Sequence, residues 1–494
     1  MKTFTKVETT RVAYHKEPLK NTIHRSSLIV PEIDGTEVDI SFLNHFLIKR
    51  GYENIGCRIS AIDAHGALIE TRLISIDEPR VYKISLSRLF DYKARNYVIE
   101  FFSAKNLFIP FPAVMMNHRG NGSISYVHSY SRLLNDVFEE DSINQLNVAE
   151  ASIDIRRTPG AEPVILFSSG IKHINGTLQC TLAADGISYE ENFKIDCPRL
   201  SNLEIKLSDI FKDLPATFMG HLKITPPEQF MFYGRLLVGH RTADGAFSGN
   251  HSYYDCSTVT EYWPSALPSM RLYPYFNELE NIIRIYPNMS LGTYDCSVNL
   301  FDGDGKNLRE ISIGKLSSPS NEEIDISISE LVRLNRIEVS SFELQVRPLT
   351  GNAPTRVSNQ LVYASGALEA SFPVGLVHSE VFVSERKKVV WGQLVIGGGF
   401  ESWLGIVSET AKSSSSSLEV SYYSEEGLIA KRQWKLQLGA AIIQKFPEDL
   451  PELMANLDDL QYVWYYVQGE SVPISSFSVT RNIGSGHCTG EHGF

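Results

Sequence analysis

The chain has 494 residues, 43% apolar and 21% charged, an ordinary globular composition that excludes a disordered or fibrous protein. At about 100 to 200 residues per domain it predicts several domains rather than one core. With 46 basic against 58 acidic residues the net charge is −12, which argues against nucleic acid or an anionic membrane surface as the main partner.

Residues 1–24 read as an N-terminal arm. They contain no apolar stretch of the about 7 to 15 residues that a secretory signal carries, and no segment of the chain reaches about 18 uninterrupted apolar residues. The expectation is a cytoplasmic protein with no membrane insertion.

The first strong strand signal is CRISAIDAHG from Cys57, an alternating run into a glycine turn. It recurs as CTLAADG from Cys180, CSVNLFDGDG from Cys296 and LEVSYYSEEG from Leu418, at spacings of 123, 116 and 122 residues. A second element, an alternating strand ending in a short apolar turn, follows as YKISLSRLF (82–90), LEIKLSDIF (203–211), IDISISELV (324–332) and WKLQLGAAI (434–442). A third strand closes each unit: FPAVMMNHR (111–119), FMFYGRLLVGH (230–240), SFELQVRPL (341–349) and SFSVTRN (476–482). Four units of roughly 120 residues are therefore expected.

Val, Ile, Tyr, Phe and Thr dominate between these landmarks, and turn residues recur every 8 to 12 positions or so. The reading is all-β: four tandem antiparallel β-sandwiches, immunoglobulin-like or jelly-roll-like, over 25–137, 138–264, 265–372 and 373–494. A few short helices are compatible with this pattern, with Ser41–Arg50 and Pro447–Leu460 as candidates. Cys57, Cys180 and Cys296 hold one repeated strand position, filled by Leu418 in the fourth unit, so they read as buried core thiols rather than disulfide partners.

Three units end on a nine-residue polar pattern: GSISYVHSY (122–130), GAFSGNHSY (245–253) and GHCTGEHGF (486–494). The consensus is Gly-x-x-Ser/Thr-x-x-His-Ser/Gly-aromatic. In the third unit the stretch 352–363 aligns with it, keeping Thr355 and Tyr363 and offering Asn359 or Gln360 in place of histidine. A structural role accounts for the pattern through a positive-φ glycine turn and hydrogen-bonded polar groups at the sandwich edge. A metal role accounts for it if equivalent loops converge: His128, His251 and His492 would supply three imidazoles, with His118, His240 and His487 as weaker candidates. Imidazole with carboxylate suits Zn, Fe or Mn better than Cu(I).

Other motifs carry less. DGDGK (302–306) lacks the glycine and terminal glutamate of a calcium loop and reads as a turn. GFESWLG (399–405) and YVWYY (462–466) read as core aromatics, with a sugar-stacking platform as the alternative. Three functional readings follow. The first is a binding or assembly protein carrying a histidine-based metal site. The second is a metal-dependent enzyme on a small polar substrate, with Glu491 or Tyr130 moving a proton. The third is a carbohydrate-associated module, and a homo-oligomer is compatible with each.

Overall fold

The computed structural model describes residues 25–494 except 92–93, 106, 108, 110–111, 129–131, 134–149, 171–172, 226, 228–235, 252, 255–261, 264–266, 286–291, 319, 321–322, 351–352, 355–357, 379–388, 412–414 and 471. Among these residues the fold is all-β with a few short helices, and the strands form four tandem antiparallel sandwiches. The acidic FEEDS stretch (138–142) expected at the first boundary lies outside the described residues.

The first sandwich shows the plan. Its strands are β1 (Arg25–Pro31), β2 (Glu37–Leu43), β3 (Ile55–Ile62), β4 (Leu68–Ile76), β5 (Val81–Ser85), β6 (Asn96–Ser103), β7 (Met115–Gly120), β8 (Ser123–His128) and β9 (Arg132–Leu133). One sheet has the order β4-β3-β6-β1-β9 and the other β5-β2-β7-β8. Consecutive strands mostly switch sheets, so the pairings are long-range: β1 runs antiparallel to β6 from Arg25 opposite Phe102 to Pro31 opposite Asn96. The alternation seen in the sequence sets the inward face. On β3, Cys57, Ile59 and Ala61 are fully buried, as β-branched and small apolar residues on a pleated half-buried strand should be.

The second and third sandwiches repeat all nine places in the same order, and the fourth repeats the first eight. The four landmark positions agree: Cys57, Cys180, Cys296 and Leu418 all lie buried on the third strand of their sandwich. The five described cysteines are buried thiols outside any disulfide, and burial pushes the Cys197 thiol up to about 11 and those of Cys180, Cys296 and Cys488 to about 12, which makes these inert at neutral pH. Helix His45–Arg50 follows β2, capped by Asn44 accepting from Leu47 N at 3.1 Å and by Gly51 in the left-handed region. Near the other expected helix the chain forms a 3-10 helix over Pro451–Asn456.

Two landmarks sit elsewhere than the sequence suggested. In the fourth sandwich Trp434–Leu436 ends the fourth strand (Gly427–Leu436), and the fifth strand is Ala441–Phe446. In the third, Ser341–Pro348 is the sixth strand, not the closing one, and the seventh is Ser358–Ala364. The eighth strand of that sandwich is Ala370–Gly375 and the ninth Val377–His378, so the sandwich extends past residue 372. Neighbouring buried strands carry the same two-residue period, so alternation alone does not order them.

The chain divides into two compact units. One comprises Met1–Asn121, Ser125–Leu182 and Ser188–Tyr254, essentially the first two sandwiches; the other comprises Gly122–Ile124, Ala183–Ile187 and Asp255–Phe494, essentially the last two. Within the second unit, Trp403, Val407, Phe477, Val479 and Cys488 of the fourth sandwich pack into the core of the third. Arg481 and Lys445 lie over the Trp403 ring, 4.8 and 5.5 Å from its centre, and both reach Glu401.

Candidate metal centre

Strand register defines the equivalences on which the site depends. On the second strand Glu37, Glu162, Glu280 and Glu401 stand opposite Arg119, Arg241, Ala364 and Arg481 of the seventh. Counting back one residue aligns His118, His240, Tyr363 and Thr480. Counting across to the eighth strand puts His251 opposite Leu237 and His492 opposite Phe477, and in the third sandwich it puts Pro373 opposite Gln360. Pro373 is therefore the third sandwich's residue at the histidine position, in place of the Asn359 or Gln360 read from the sequence. That sandwich has lost both the seventh-strand arginine and the eighth-strand histidine.

The aligned seventh-strand residues latch the first strand across each sandwich. His118 Nε2 donates to Pro31 O at 2.9 Å, and Tyr363 OH donates to Pro274 O at 2.7 Å. His240 Nε2 accepts from Arg156 N at 3.1 Å. Thr480 bonds Ser402 Oγ at 2.7 Å, and that hydroxyl donates to Val395 O at 2.6 Å. Histidine, tyrosine and, through Ser402, threonine thus satisfy first-strand backbone groups at one place, which engages a ring nitrogen of both His118 and His240. His487 lies half-buried in the turn before the last strand, where its N donates to Ser485 Oγ at 3.2 Å.

The eighth strands explain the rest of the motif. Its leading glycine takes a positive φ in each hairpin turn, at Gly122, Gly245 and Gly486. In the first unit Ser125 Oγ, at the Ser/Thr position, accepts from Gly249 N at 3.0 Å, so the eighth strands of its two sandwiches lie side by side. A Cβ on Gly490, the equivalent of Gly249, would come within 2.9 Å of Phe372 and 3.0 Å of Ala370, which shows the same close approach within the second unit.

This packing brings His128 and His251 together, with ring centres 5.0 Å apart and planes at 86°. His128 is buried and His251 half-buried. In the second unit the corresponding places are Pro373 and His492. The residue before each of the latter two histidines buttresses it in the same way: Asn250 Oδ1 accepts from His251 N at 2.7 Å, and Glu491 Oε1 from His492 N at 3.0 Å. Glu491 is fully buried, and its Oε1 lies 3.7 Å from His492 Nε2. His492 Nδ1 donates to Gly493 O at 3.2 Å, leaving Nε2 as the nitrogen with the lone pair. Among the described residues, the first unit brings His128 and His251 together as ligand-type side chains, and the second brings Glu491 and His492 together. Tyr130, the other proton-transfer candidate, lies outside the described residues.

The aromatic runs are core. Trp403, Trp464, Tyr462 and Tyr465 are all 2% exposed or less, which leaves no stacking platform on those strands. No helix among the described residues is long and apolar enough to cross a membrane.

No protein-family profile matches the sequence, and no curated protein matches it. Among solved structures the chain is compared with one described as a "tetra-tandem repeat in extending region of large adhesion protein" at 7% identity, covering 94% of this chain and 98% of that one. The TM-score is 0.09, so this likeness carries no argument.

Proposed function

We propose that this chain is a multi-repeat β-sandwich binding protein that holds one divalent transition metal through the histidines of its repeated motif. The observation that supports this most is the edge-to-face approach of His128 and His251 in the first unit. Two imidazole nitrogens on one tetrahedral ion, each at about 2.0–2.1 Å, lie roughly 3.4 Å apart, a separation compatible with rings in this relation after small side-chain rotations. Within the second unit, Glu491 and His492 form a separate carboxylate and imidazole pair, with Glu491 Oε1 3.7 Å from His492 Nε2. Imidazole nitrogen with carboxylate oxygen favours Zn, Fe or Mn.

Elemental analysis of the purified full chain tests the proposal. The expected result is close to one metal per chain, lost in His128→Ala and in His251→Ala while both variants keep the wild-type circular dichroism spectrum. Wild-type protein that takes up neither Zn nor Mn on dialysis would overturn the metal reading, leaving the motif as a folding device.

A further inference from the structure

The fourth strand of every sandwich is an edge of the sheet that also holds its third and sixth strands among the described residues, a row of backbone groups open to pairing. Three of the four edges are guarded. The fourth strand of the second sandwich (Ile187–Cys197) carries Glu190, Glu191, Lys194 and Asp196; that of the fourth carries Lys431, Arg432 and Lys435. That of the third (Asn307–Ser318) is broken by two register shifts, and its Leu308, Ile311 and Ile313 pack on their own core. The first sandwich differs in degree: β4 reads LIETRLISI, with one acidic and one basic residue, one register shift, and three large apolar residues exposed, Leu68 at 63%, Ile69 at 43% and Leu73 at 67%.

The sequence of β4 is also complementary to itself. Turned antiparallel about Thr71, two copies place Glu70 opposite Arg72 and Ile69 opposite Leu73, each pair occurring twice, with Leu68 opposite Ile74. Glu70 and Arg72 already pair within one chain on the inward face. Thr71 and Leu73 line the outward face, opposite Ser60 and Arg58 of β3, and Ile69 sits at the register shift between Glu70 and Leu68. We infer that β4 is a homodimer interface: two chains join edge to edge about a two-fold axis through Thr71, extending the five-stranded sheet to ten strands. An isologous contact of this kind is closed, so it yields a dimer and no fibre. A nine-residue edge is small against the roughly 1,000 Å² that stable interfaces bury, which makes the dimer concentration-dependent.

In sedimentation velocity from about 1 to 100 µM, wild-type protein is expected to shift from the 55.4 kDa of one chain to twice that mass, and Leu73→Lys to stay at one. Leu73 is mostly solvent-exposed, so that substitution leaves the sandwich intact. Under mild oxidation Thr71→Cys is expected to form a covalent dimer, because self-paired residues sit with Cα atoms about 4.5–5.5 Å apart, within disulfide range. Ser75→Cys, on the same exposed strand, would meet its mate only at roughly 26 Å and is expected to stay monomeric under those conditions. A wild-type chain of single-chain mass throughout, or equal crosslinking at 71 and 75, overturns the inference.

Discussion

Gly305→Ala is expected to unfold the second unit well below the wild-type melting temperature, whereas Gly186→Ala, at a glycine of nearly the same φ, is expected to show only the smaller backbone cost. Both glycines end the hairpin between the third and fourth strands of their sandwich, at φ +79° and +77°. Alanine at such a φ costs about 1–2 kcal/mol wherever it occurs. At Gly186 nothing lies within 4 Å of a new Cβ; at Gly305 it would meet Leu438 O at 1.6 Å and Leu438 C at 2.7 Å. These are backbone atoms of the adjoining sandwich, so relief requires the two sandwiches to separate locally, and overpacking adds about 1–3 kcal/mol. Gly66 stands in the same relation to Arg199 O, at 2.1 Å, within the first unit. Thermal melts of the three alanine variants check this, with Gly66→Ala and Gly305→Ala expected to fall together and Gly186→Ala to fall clearly less.

Acidification from pH 7 to pH 5 is expected to destabilise the first unit, before its carboxylates titrate. Burial holds His45 down at about 3, opposed by its bond to Leu43 O and assisted by Lys49 and Arg50. Burial likewise holds His118 at about 4, opposed by its bond to Pro31 O and by Asp39, and assisted by Arg241. In the unfolded chain both would titrate near 6.5 or so. Between those values the unfolded chain binds protons that the folded one refuses, so stability is full above about pH 6.5 and declines as the pH falls toward 4. By pH 5 each histidine accounts for a loss of about 2 kcal/mol, together roughly 8–15 °C of melting temperature for a unit of this size. His118→Gln, whose amide can still donate to Pro31 O, should flatten part of that dependence, and His45→Gln the remainder. A wild-type melting temperature that is level from pH 7 to 5 would contradict both assignments.

The sequence made the repeat legible because the third strand and its hairpin keep one chemistry in all four sandwiches: an apolar residue at the position of Cys57, alternation after it, and a glycine turn. It was less informative where strands lie side by side with similar patterns, hence the displaced fifth strand of the fourth sandwich and seventh strand of the third. The candidate site divides in the same way. His128, His251 and His492 share a place that their local motif reveals, and the pairing of His128 with His251 follows from the contact of two eighth strands. Pro373 was hidden because the third sandwich keeps neither glycine spacing nor arginine as a marker, and only strand register assigns it. His118 and His240 were drawn toward metal chemistry by residue type alone; Tyr363 and Thr480 at the same place show that the position asks for a hydrogen-bonding group rather than an imidazole.

The pairing of first with sixth strand bears on how the chain is made. In each sandwich the first strand leaves the ribosome roughly 70 residues ahead of its partner, which at about 5–20 residues per second is a wait of roughly 4 to 14 s. Throughout that interval Leu28, Ile29 and Val30, buried in the finished protein, have no sheet to enter. The wait recurs for each sandwich, so synthesis presents four successive unsealed strands rather than one long unfolded chain, each closed before the next sandwich is complete. A translational pause within the sixth strand would therefore prolong exposure far more than one of equal length placed between sandwiches.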